Sequence, residues 1–161
     1  APQKIRKFMY YISKSVPVKI NFSDMARDLE LSRDELPKYL EYLEKAELVS
    51  VLRMKANGDA ILRKMDKLYL QNSNMSYVLS GENPDTGNAR KTIFYCWTKQ
   101  KYDTVESPVS DFEIDGKTFE VGGRNKGKKQ ISNLEDAYVV KDTIEYVFDN
   151  QVPLWMFGFH Y

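Results

Sequence analysis

Asp111 and Glu120 sit on short apolar stretches, with the turn pair Asp115-Gly116 between them. Asp-Gly between alternating runs is a hairpin signal, so the spacing predicts two paired strands with these carboxylates side by side. A basic, glycine-rich run, Gly122-Gly-Arg-Asn-Lys-Gly-Lys-Lys129, follows at once. Two converging carboxylates beside a lysine can hold a divalent cation and activate water for phosphodiester hydrolysis. Arg124, Lys126, Lys128 and Lys129 are the candidate contacts to a nucleic-acid backbone. The plain alternative is a solvated hairpin whose basic residues are surface charge.

The same run nearly spells a phosphate-binding loop, with Gly122, Gly127 and Lys128 in place. That motif needs a hydroxyl after its lysine to hold magnesium, and Lys129 cannot supply one. Only 32 residues remain downstream, too few for the parallel sheet that carries such a loop. Nucleotide binding by this segment is therefore not expected. Cys96 is the one cysteine and His160 the one histidine. A disulfide framework, a Cys-rich zinc site and any two-histidine chemistry within the chain are excluded. Cys96 reads as a core thiol and His160 as a surface or packing residue. Phe8, Tyr10, Tyr11, Tyr39 and Tyr42 follow helical spacing and read as packing.

The elements that must position these residues change character along the chain. Ile5, Phe8, Met9 and Ile12 mark one face of an amphipathic helix. Ser23 is the expected N-cap of a short second helix through Met25, Ala26 and Leu29. Ser32 and Glu35 form a capping box for a third, with Leu36, Tyr39, Leu40 and Leu43 at helical spacing. Pro37 predicts a local kink in it. Leu48–Leu52 and Ala60–Leu62 then flank Asn57-Gly58, a strong hairpin signal. Three helices followed by a two-stranded ribbon is the order of a winged helix. Its third helix is a weak candidate for the major groove: Asp34, Glu35, Glu41 and Glu44 outweigh Arg33, Lys38 and Lys45, and carboxylates oppose a phosphate backbone.

The remainder reads as mixed α and β. Lys67–Leu70 is strand-like, 73–79 a short helix, and 81–87 a loop. A helix follows over about 88–102, with Ile93, Phe94, Cys96 and Trp97 as buried candidates. The hairpin strands are 111–114 and 118–121. Ala137–Val140 reads as a buried strand, and 154–159, apolar on both faces, is expected near the sheet centre.

The 161 residues are 42% apolar and 13% aromatic, enough for a sizeable core. Net charge is +1, which favours no single-sign partner. Residues 1–56 carry 11 basic and 8 acidic side chains (+3), and residues 57–161 carry 13 and 15 (−2). The longest apolar stretch, 152–159, is far short of the ~20 residues of a membrane helix. A soluble protein of the reducing cytoplasm is expected, with no membrane partner. The chain opens on Ala-Pro-Gln-Lys, so it is read as a piece of something longer.

One wider pattern stands out. Tyr39-Leu-Glu-Tyr-Leu-Glu-Lys-Ala-Glu-Leu-Val49, Lys67-Leu-Tyr-Leu70, Gly87-Asn-Ala-Arg-Lys-Thr92, Asp111-Phe112, Phe119-Glu-Val-Gly-Gly123 and Pro153-Leu-Trp-Met-Phe-Gly158 occur in that order. The chain resembles the carboxyl-terminal half of a group of bacterial and archaeal AAA-superfamily ATPases. In that group a winged helix and a domain of unknown function with a PD-(D/E)XK nuclease-like fold follow the ATPase core. The resemblance implies an α/β (α+β) fold with a winged helix at 1–60 and a degenerate nuclease-like domain at 61–161. It implies ATP and magnesium in a core outside this chain, and no cofactor within it. Asp111 and Glu120 match the nuclease motif. The strand lysine is replaced by Gly122, and Lys91 stands where the family's helix commonly has Glu. Lys126, with help from Gln130, is the candidate stand-in. Lys91 either pairs with Asp111 or Glu120 in place of a metal or points away. The expected function is non-catalytic: binding of DNA or a protein partner, alongside the ATPase core of the parent chain. The alternative is a metal-dependent nuclease using Asp111 and Glu120.

Overall fold

The computed structural model of the chain describes residues 2–54, 67–81 and 83–159. Among them are five α-helices and two β-sheets, an α+β arrangement. No helix among the described residues is long and apolar enough to cross a membrane.

Helix α1 (Pro2–Ser15) buries Phe8, Met9 and Ile12 on the stripe that their spacing specifies. Strand β1 (Val18–Lys19) follows, then α2 (Phe22–Leu29). The cap of α2 is Asn21 rather than the expected Ser23: its side chain accepts the N–H groups of Ser23 and Asp24. Asn serves as well as Ser in this role, and Phe22 already lies inside the helix. Helix α3 (Glu35–Lys45) buries Leu36, Leu40 and Leu43. The capping box forms reciprocally: Glu35 N–H donates to Ser32 Oγ at 3.1 Å, and Ser32 N–H to Glu35 Oε2 at 2.9 Å. Counted from the Ser32 cap, Pro37 lies in the second turn: the Leu36 N–H already bonds the Ser32 carbonyl at 3.2 Å, and Pro37 has no N–H to offer the Arg33 carbonyl.

Lys4 also donates to Glu35, at 2.9 Å. The Ser32 backbone, then Lys4 and the Ser32 hydroxyl, hold the Glu35 carboxyl at about 2. A carboxyl lowered on folding stabilises above its unfolded value and loses that contribution as pH falls through the folded one. Glu35→Gln is therefore expected to flatten the acid unfolding curve between about 4.5 and about 2. Stability measured by urea titration across that range checks it.

Strand β2 (Val49–Leu52) pairs antiparallel with β3 (Lys67–Leu70), Val49 opposite Leu70, and β3 pairs in turn with β1. The first sheet thus runs β1-β3-β2. Ala60–Leu62 and Asn57-Gly58, the expected second strand and turn, lie outside the described residues. Lys67–Leu70, assigned to the second unit from sequence, is the central strand of the first sheet. A boundary at residue 60 would divide that sheet, and the core explains why it does not fall there. Leu68, Tyr69 and Leu70 are 2% exposed or less and join a single apolar cluster reaching from Phe8 to Leu154.

Helix α4 (Asn74–Ser80) packs on α1. Helix α5 (Thr86–Thr98) is capped by Asp85, which accepts the Asn88 N–H at 2.8 Å. Phe94, Tyr95 and Cys96 face inward, whereas Trp97, an expected core residue, is 37% exposed. Four consecutive bulky residues cannot share one helical face.

The second sheet runs β4-β5-β6-β7-β8: Thr104–Glu106, Phe112–Ile114, Lys117–Gly122, Ala137–Lys141 and Gln151–Pro153. β4, β5 and β6 form an antiparallel meander, while β6, β7 and β8 are parallel. The β5–β6 turn is the expected one, with Asp115 and Gly116 at φ 49° and 78°, as a primed hairpin turn requires. Leu154–Gly158 is a 3-10 helix, not a central strand. β8 is an edge, Pro153 has no N–H with which to continue a ladder, and Trp155 and Met156 face solvent. The two sheets abut where Glu106 N–H donates to the Arg53 carbonyl at 2.9 Å. Lys67 and Glu106 form an ion pair at 2.5 Å across the same junction.

Candidate functional site

The turn before β5 aims the first two polar side chains. Ser107 Oγ accepts the Ser110 N–H at 3.1 Å, which fixes the chain as it enters Asp111. Asp111 then spans to the neighbouring strand: its Oδ2 accepts the N–H of Val121 at 2.9 Å. Its Oδ1 receives the Lys91 ammonium, from the first half of α5, at 2.6 Å. Glu120, on β6, is 2% exposed. One of its oxygens accepts the Ser110 hydroxyl, and the other pairs with Lys126. Each carboxylate therefore has one ammonium and one neutral donor.

Lys126 reaches Glu120 because Gly122 has no side chain. A Cβ built on Gly122 would lie 2.5 Å from Lys126 Cγ and 2.6 Å from its Cβ. The lysine stem occupies the space that a side chain at 122 would fill. Gly123 is tight for a similar reason: a Cβ there would lie 3.0 Å from the Arg90 guanidinium. Arg90 itself pairs with Asp142 at 2.6 Å. A cavity of about 540 Å³ opens between α5 and the end of β6, lined by Asp85, Asn88, Arg90, Lys91, Arg124 and Lys126 among others.

Of the residues expected from sequence, Asp111, Glu120, Lys126 and Lys91 come together. Gln130 does not: it lies exposed on the loop after β6. The basic run is dispersed. Lys128 pairs with Asp149, Lys126 is turned inward, and Arg124 and Lys129 remain exposed. The glycine-rich run leads into turns over 124–136 rather than into a helix, so it lacks the helix N-terminus that cradles phosphate. Cys96 donates to the Leu70 carbonyl at 3.2 Å, and burial pushes its thiol up to about 11. It is a packing residue. Tyr42 is exposed, in edge contact with Tyr39 at 6.4 Å, while Tyr10 carries Lys14 over its ring at 4.7 Å. His160 lies outside the described residues.

Ser110 and Asp142 carry no signal in the sequence, and Arg90 figures there only within the Gly87–Thr92 pattern. Ser110 stands next to Asp111, but its bond to Glu120 depends on the β5–β6 pairing. Arg90 and Asp142 are 52 positions apart.

A divalent cation fits this donor set poorly. Among the described residues no three His, Cys, Asp or Glu side chains gather in a metal-binding group. Magnesium bound by two carboxylates here would have to displace two ammonium groups from them.

Residues 1–86, more than half the chain, match a family described as a domain of unknown function, DUF8612. The chain belongs to the DUF8612 family. The DUF8612 match ends at Thr86, the first residue of α5. It therefore covers α1 to α4 and the whole first sheet, and stops short of the paired carboxylates. No curated protein and no solved structure matches the chain.

Proposed function

We propose that this chain is a non-catalytic accessory region of an AAA-superfamily ATPase, and that it binds a protein partner. The observation that carries this reading is the double neutralisation of Asp111 by Lys91 and Glu120 by Lys126. Carboxylates held this way act as struts between α5, β5 and β6. The element order α1-β1-α2-α3-β2-β3, with sheet order β1-β3-β2, supports a winged helix. The succession of α5, the antiparallel meander β4-β5-β6 and the parallel β7 supports a degenerate PD-(D/E)XK nuclease-like region. Asp111 immediately precedes β5 and Glu120 lies on the adjacent β6, an arrangement that supports the resemblance. ATP and magnesium belong to the core of the parent protein.

A protein is favoured over DNA because much of the basic charge near α3 is already paired, leaving Arg33 and Lys38 exposed. Lys45 pairs with Glu41 at 2.6 Å, Arg53 with Glu44 at 3.5 Å and Lys4 with Glu35 at 2.9 Å. In the basic loop only Arg124 and Lys129 are left to meet phosphate. DNA binding followed by fluorescence anisotropy is expected to be weak and non-specific. Its logarithmic salt slope should fall by about 0.9 for each phosphate contact removed in Arg124→Ala or Lys129→Ala. No cleavage of single- or double-stranded DNA is expected with magnesium or manganese. Cleavage that needs the metal and disappears in both Asp111→Ala and Glu120→Ala would overturn this reading in favour of a nuclease.

A further inference from the structure

The second sheet ends at β8 in a broad apolar surface. Asp149 and Asn150 turn the chain so that 146–148 folds back beside β8, with Phe148 opposite Gln151. Phe148 N–H donates to the Gln151 carbonyl at 3.1 Å, and Gln151 N–H to the Phe148 carbonyl at 2.9 Å. Gln151 is thereby used up and Pro153 has no N–H, so this edge is closed to the addition of another strand. What it presents to solvent is side chains. Tyr146 is 80% exposed, Phe148 74%, Phe159 61% and Trp155 50%. Val147, Met156 and Trp97 are exposed as well.

These residues share one footprint. From Gln151, opposite Phe148, four residues lead to Trp155, at most about 13 Å at the rise of an extended strand. Trp155 meets Phe159 edge-on, 5.9 Å between ring centres. Trp97, from α5, lies against Gly158, where a Cβ would come within 3.4 Å of its ring. Five aromatic side chains with about 150–250 Å² each leave on the order of 600 Å² open at these exposures. Val147 and Met156 carry the surface past the about 300–600 Å² of a typical monomer's largest patch. It approaches the roughly 800 Å² that each partner gives to a standard interface.

The chemistry of the surface points to its occupant. Residues 144–148 and 154–159 hold a single charge, Glu145, in a chain that is 29% charged. Depletion of charge with enrichment of aromatics and Met marks the core of an interface, and homodimer interfaces are the more apolar ones. Two nearby acids are already matched, Asp149 by Lys128 and Asp142 by Arg90. A strongly charged partner would find little there to pair with. A second copy, with a net charge of only +1, meets little repulsion. We propose that this surface is the interface of a homodimer, in which two copies pack Tyr146, Phe148, Trp155 and Phe159 together about a twofold axis. The proposal goes beyond the accessory reading and does not depend on it.

Sedimentation velocity and tryptophan emission test it together, because Trp97 and Trp155 are the chain's two tryptophans and both lie on this surface. At micromolar concentration the chain should sediment at twice its 18.8 kDa. Dilution should dissociate it and shift the tryptophan emission to the red. Phe148→Asp should weaken association about a hundredfold or more, since a twofold axis meets each substitution twice. The milder Tyr146→Ser should weaken it about tenfold. Unchanged far-ultraviolet circular dichroism shows that both variants stay folded. Val78→Asp, at an equally exposed position on α4, should leave the dimer intact. A monomer at every concentration overturns the proposal and leaves the surface to a different protein. A mass above two copies, dissociation without a change in emission, or equal loss in Val78→Asp overturns it as well. DNA cleavage would refute the accessory reading without touching the dimer.

Discussion

Lys126→Met is expected to destabilise the chain by about 2–3 kcal/mol in urea unfolding. Removing one partner of a fully buried ion pair costs about 3–5 kcal/mol, because the other charge stays behind without compensation. Lys126 is about one-third exposed, with a side-chain exposure of 33%, while Glu120 is at 2%. Solvent therefore screens the lysine end of the pair, and the lower figure applies. Glu120 would keep only the Ser110 hydroxyl. The double variant Lys126→Met with Glu120→Gln should recover part of the loss, since it removes the stranded charge. Gly122→Ala should act in the same direction by a different route. Its new methyl must displace the Lys126 stem, and with it the ammonium from Glu120. A double-mutant cycle showing no coupling between positions 120 and 126 would refute the strut role.

Phe94→Ala is expected to cost more, about 3–5 kcal/mol, the range for a fully buried aromatic truncated to a methyl. Phe94 is 0% exposed. Its ring centre lies 4.7 Å from that of Phe157, 5.0 Å from Phe112 and 5.5 Å from Phe119. One side chain thus ties α5 to two strands of the second sheet and to the 3-10 helix. Because Phe112 also approaches Tyr69 and Tyr95, the loss should propagate toward the first sheet. Unfolding is then expected to remain a single transition in both the parent chain and the variant. Two separated transitions by calorimetry would show that the sheets are independently stable, against the continuity of the core.

Features that depend on residues close in the chain were legible in the sequence. The apolar stripe of α1, the Ser32–Glu35 box and the Asp115-Gly116 turn rest on contacts between near neighbours. Periodicity and turn chemistry specify such contacts without knowledge of the fold. The meeting of Asp111 and Glu120 belongs with them, because a tight hairpin sets its own register. The sequence also carried the Lys91 substitution, and with it both placements of that side chain. Only the tertiary structure decided between them, by setting the first half of α5 against the start of β5.

The remaining decisions needed the packed molecule. Lys126 turns inward because Gly122 vacates a path to Glu120, a fact of space rather than of spacing. Lys67–Leu70 joins the first sheet because three nearly inaccessible side chains need a core on which α1 and β2 already close. β4 meets the first sheet where Glu106 bonds the Arg53 carbonyl and bridges Met54, and no local pattern in either strand announces that junction. Near-neighbour chemistry is written along the chain. Which charges pair follows from how distant segments share volume.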